Sequence, residues 1–180
     1  MFGADIPSVA GNVIAILFPP PIVPLIDAFR SLEVLSEHYD VHVLDGPEGD
    51  MARFIDRDTA RAIVSDAMLL AFALSRQRGG PLSHRPLRSR QGSVDEYCVL
   101  ALIGAARDPG SELAFEAAAA LGIGSVDFTL SIAIDLLRQI DQGGLFLEQP
   151  SLAEFRAIVS ENLLLDGGLT EDSIASSFLN

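Results

Sequence analysis

From residue 93 onward the chain is punctuated at helical intervals, and that punctuation most limits what it can fold into. Ser93-Val94-Asp95-Glu96 and Ser151-Leu152-Ala153-Glu154 both have the spacing of a capping box. In that motif the serine hydroxyl accepts from the amide three residues on, and the glutamate reaches back to the serine amide. Asp108-Pro109 couples a cap to a proline at the first helical position, and Ser125 opens another segment. Gly122, Gly143-Gly144 and Gly167-Gly168 supply the stops. The spacing predicts helices over 93–107, 108–121, 125–140 and 151–165, with Thr170 capping a last short helix that ends near Phe178. The two capping boxes align as Ser93/Ser151, Glu96/Glu154 and Tyr97/Phe155. Capping alone accounts for that likeness, without an internal duplication.

The first half reads the same way. Ser8 to Phe18 is apolar and suits a short helix stopped by Pro19-Pro20-Pro21. A second helix is expected over 22–38, with Leu25, Phe29, Leu32 and Leu35 at helical spacing. Tyr39 to Leu44 alternates and is either the end of that helix or a short strand, and Asp45 to Asp50 has turn composition. Over 56–74, Ala60, Ile63, Val64, Ala67, Leu70, Ala71 and Leu74 share one face. The expectation is therefore an all-α, single-domain helical bundle of about seven helices spanning 1–180. Its core should include Ile63, Ala67, Leu70, Leu74, Phe128, Ile132, Leu136 and Ile140.

The longest charge-free run, Ile6 to Ile26, has the length of a membrane span at 21 residues. Its prolines remove consecutive backbone donors, so two short buried pieces are expected and no span. No basic leader precedes it, and a cytoplasmic protein is expected. The net charge of −13 repels nucleic acid. A lone cysteine, Cys98, excludes an internal disulfide and a cysteine-rich zinc site. The absence of lysine excludes Schiff-base chemistry and the phosphate-loop lysine.

Charge is segmental: −7 over residues 1–50, +5 over 51–92 and −11 over 93–180. The segment 76–92 reads as a mobile loop holding Arg76, Arg78, Arg85, Arg88 and Arg90 with no acid. Arg85, Arg88 and Arg90 are candidates for docking an anion or an acidic partner, because the guanidinium fork matches carboxylates and phosphates. The alternative is intramolecular, with the basic middle lying against its own acidic flanks.

His38 and His42 are the one close histidine pair and a candidate metal site, although no second ligand motif accompanies them. Asp135 sits in an apolar helix, where Arg138 is its expected partner. Two helices apolar nearly all round need more neighbours than a chain of this size supplies. The leading expectation is a non-catalytic interaction or oligomerisation module, a homodimer or the ligand of another protein, with no cofactor. The alternatives are a small-molecule binder or sensor with an apolar pocket lined by Phe72, Phe115 and Phe128, or a metal-dependent enzyme using His38 and His42.

Overall fold

The computed structural model describes the backbone of residues 15–168 and side chains through residue 162. Among the described residues it is all-α: α1 (Val23–His38), α2 (Asp45–Met51), α3 (Arg57–Gln77), α4 (Val94–Ala105), α5 (Glu112–Ala120), α6 (Val126–Gln142) and α7 (Leu152–Gly168). No helix among these residues is long and apolar enough to cross a membrane.

The two capping boxes form as the sequence requires, whereas Ser125 opens α6 without a side-chain cap bond. Ser93 Oγ accepts from the Glu96 amide at 3.1 Å while Glu96 Oε2 accepts from the Ser93 amide at 2.8 Å. At α7 the same exchange joins Ser151 and Glu154, at 3.2 and 2.8 Å. Asp56 caps α3 through the Thr59 amide. The αL residues Gly122 (φ +69°) and Gly144 (φ +76°) follow α5 and α6.

α3 is the central helix, packed against α1, α2 and α6; α4 packs against α5, α6 and α7. α3 and α6 run antiparallel. At one end the Gln77 side chain donates to Thr129 Oγ1 and accepts from the Ser125 amide, each at 2.8 Å. At the other, Gly143 lies so close to α3 that a β-carbon there would meet Thr59 Cγ2 at 2.9 Å. Ile63, Ala67, Leu70, Leu74, Leu136 and Ile140 are fully buried and Ile132 is buried.

Several local expectations are corrected. Phe128 is 57% exposed; Thr129, Leu130, Ile132, Ala133, Leu136, Leu137 and Ile140 form the inward stripe of α6, and Phe128 falls outside it. Residues 15–18 are extended, not helical. They pair with the arginine loop, the Phe18 amide donating to Arg90 O at 2.8 Å and the Gly92 amide to Ile16 O at 2.9 Å. The rest of the helix expected over Ser8 to Phe18 lies outside the described residues, as does the one at Thr170.

No strand forms at 39–44. Tyr39 closes α1 in the left-handed region (φ 53°), and Val41–Leu44 is a 3₁₀ turn whose His42 amide bonds Asp40. Asp45–Met51 is a helix because Met51 and Pro47 are buried beneath it, and because Asp45 and Glu48 favour its N-terminal dipole. Tertiary burial overrides the turn composition there. α5 starts at Glu112, not at Pro109; Ser111 is the residue whose hydroxyl accepts a helix amide, that of Ala114. α7 runs on to Gly168, past the stop expected near Leu165.

Candidate functional site

The arginine loop is anchored on a buried ionic node. Arg30, on α1, sends Nε to Glu96 Oε1 (2.7 Å) and Nη2 to Glu96 Oε2 (3.1 Å). Its Nη1 donates to Asp27 Oδ1 (3.0 Å) and Ser89 O (2.9 Å), and Nη2 also donates to Gln91 O (3.1 Å). All five guanidinium N–H groups are thereby used. Arg30, Asp27 and Glu96 are each about 3% exposed or less. Charges so far from water require this degree of pairing. Burial pushes the Asp27 carboxyl above its ordinary value, against the lowering effects of the Arg88 amide and of Arg30.

The same carboxylates hold the loop backbone. Asp27 accepts from the Arg88 amide at 3.0 Å and Glu96 Oε1 from the Arg85 amide at 3.0 Å. Asp95 takes the Ser83 amide at 2.7 Å and Arg78 Nη2 at 3.1 Å. The basic middle therefore meets its acidic flanks at backbone amides as well as at side chains.

Beside this node lies a recess of about 400 Å³ lined by Arg53, Phe54, Arg88 and Arg90, with Asp27 and Asp50 also on its wall. Arg88 Nε pairs with Asp50 at 3.1 Å, and Arg90 Nε donates to Phe18 O at 3.1 Å. Phe54 is 47% exposed. Arg88 and Arg90 thus share one recess. Arg85 does not line it.

A second cavity, a groove of about 350 Å³, runs between the Ala15–Pro19 strap, α4, the 146–150 segment and the start of α7. Its walls are apolar, with Phe18, Leu100 and Ile158 inside and Leu17 and Phe146 exposed at the rim. Tyr97 stacks on Phe155, with ring centroids 5.9 Å apart. Burial, then Glu154, Cys98 and Glu148, pushes the Tyr97 phenol up to about 12.

The remaining sequence candidates lie apart from both sites. His38 ends α1, and His42 follows the αL residue in the 3₁₀ turn, so the two do not share a helix face. Their Nδ1 atoms lie 3.9 Å from Glu37 and 3.2 Å from Asp45, respectively. Among the described residues no three histidine, cysteine or acidic side chains converge as metal ligands. Phe72, Phe115 and Phe128, on α3, α5 and α6, are exposed and line neither cavity. Asp135 pairs with Arg138 at 2.8 Å on the surface. Cys98 is buried, and that burial pushes its thiol up to about 12, out of the nucleophilic range.

Sequence reasoning missed Arg53 and Phe54 at the recess and Tyr97 and Phe146 at the groove. Both cavities are built partly from non-helical segments, which carry no periodicity to read. No protein-family model, curated protein or solved structure matches the chain.

Proposed function

We propose that the protein is a non-catalytic helical docking module whose partner presents carboxylates, a second copy of the chain being the first choice. The observation that supports this is the half-exposed Phe54 set among Arg53, Arg88 and Arg90 on one recess. Aromatic and arginine side chains are the types enriched in protein interfaces. The recess also belongs to a chain whose residues 93–180 carry a charge of −11, which makes the molecule's own surface a suitable ligand. Exposed Phe72, Phe115, Phe128 and Phe146 add apolar surface that association would cover. A cytoplasmic setting accords with a single, buried cysteine.

Light scattering at micromolar concentration tests the reading. The parent is expected to form a dimer, which Phe54→Ser or Arg53→Gln combined with Arg90→Gln should weaken, more strongly at low salt for the arginine pair. A monomer that captures no acidic protein would refute it. A second reading, a binder or sensor of small molecules, is favoured by the groove beside Tyr97. Its volume lies in the range of ligand sites, and it combines apolar walls with a few polar groups.

A further inference from the structure

We infer that the groove between the Ala15–Pro19 strap, α4 and the start of α7 takes a small apolar molecule carrying a protonated amine. This rests on the small-molecule reading and adds the charge of the ligand. The walls supply the apolar half of the argument: Phe18, Leu100 and Ile158 line a space of about 350 Å³. The polar half comes from Tyr97, Glu148 and Glu154. All three line the same groove, both glutamates being exposed to solvent.

No arginine lines the groove, and the chain has no lysine. An anionic ligand would face two carboxylates without a counter-charge. Glu154 has one oxygen occupied: Oε2 accepts from the Ser151 amide and from Ser151 Oγ, at 2.8 and 2.7 Å. Among the described residues, Glu148 and Glu154 Oε1 have no cationic partner. The Tyr97 phenol stays protonated at neutral pH, and its ring is fixed by the stack on Phe155. Its oxygen can therefore accept a hydrogen bond from an ammonium group.

The chain contains two tyrosines and no tryptophan. A Tyr39→Phe variant therefore leaves Tyr97 as its single tyrosine, and the emission reports directly on the groove. Octylamine, octanol and octanoate are titrated separately at neutral pH. Octylamine is expected to bind about tenfold more tightly than octanol, with octanoate weakest. Glu148→Gln combined with Glu154→Gln, which keeps the capping geometry, should bring the three affinities together. Octanol or octanoate binding as tightly as octylamine overturns the assignment of charge and leaves the small-molecule reading standing. Emission that responds to none of the three overturns both. A dimer that Phe146→Ser converts to monomer, with no response to amine, assigns the groove to a second copy and also overturns the proposal.

Discussion

Replacing Arg30 with methionine should show how much of the structure hangs on one buried cation. The substitution keeps much of the apolar stem and removes all five donors. Asp27 and Glu96, each about 3% exposed or less, then lose their shared counter-charge, Ser89 O loses its donor, and Gln91 O keeps only the 3.4 Å contact from Ser89 Oγ. Breaking a buried pair by removing one partner costs about 3–5 kcal/mol. For a domain of this size that corresponds to a fall in Tm of roughly 6–20 °C.

The pH dependence follows from Asp27. Burial already raises its pKa, and Arg30 is among the groups that lower it, so the variant raises it further. A carboxyl whose pKa is raised in the fold penalises folding above that pKa, and the penalty shrinks as pH falls toward the unfolded value. The deficit of the variant against the parent should therefore be largest at neutral pH and smaller near about pH 4. Urea unfolding followed by far-ultraviolet circular dichroism, at both pH values, measures this. A deficit below about 1 kcal/mol at neutral pH, unchanged in acid, would refute the reasoning, because the pair would then be no better than a surface one.

Leu70→Ala and Leu136→Ala each empty a fully buried position and should cost about 2–5 kcal/mol in the same assay. Gly143→Ala forces α3 and α6 apart at Thr59 Cγ2, with an expected loss of about 1–3 kcal/mol; an unchanged midpoint would mean that the helix ends yield freely. Gly92→Ala sets a β-carbon 2.7 Å from Ile16 Cγ2 and against the Phe18 ring, so hydrogen exchange of the Phe18 and Gly92 amides should accelerate. Arg156→Gln should return the Glu116 carboxyl, held below its ordinary value chiefly by the hydrogen bonds from Arg156, to the usual range in an NMR titration.

The helices were legible because their ends are written in short-range chemistry. Ser93 with Glu96 and Ser151 with Glu154 need only three residues of context to specify a start. Pro109 misled because a better cap, Ser111, follows it, and the two compete within one turn. Asp45 to Met51 was illegible because its helix depends on a pocket for Met51 that other helices build. The segmental charge correctly drew attention to the arginine loop. It could not reveal that the loop's amides, more than its guanidinium groups, carry the attachment to Asp27 and Glu96. Arg30 itself, one arginine in a strongly acidic segment, gave no sign that it is buried, since that depends on a glutamate 66 residues away.

That separation has a consequence for how the chain assembles. The cap that starts α4 shares its glutamate with an arginine of α1, so α4 cannot complete its first turn with that glutamate's charge matched until α1 is in place. Each side holds half of a lock. A single cut at the exposed Gly79-Gly80 should leave a nicked protein that stays together and unfolds in one transition. The separated fragments, the second left with Glu96 unmatched while Arg30 keeps only Asp27 in the first, should recover native circular dichroism only when mixed.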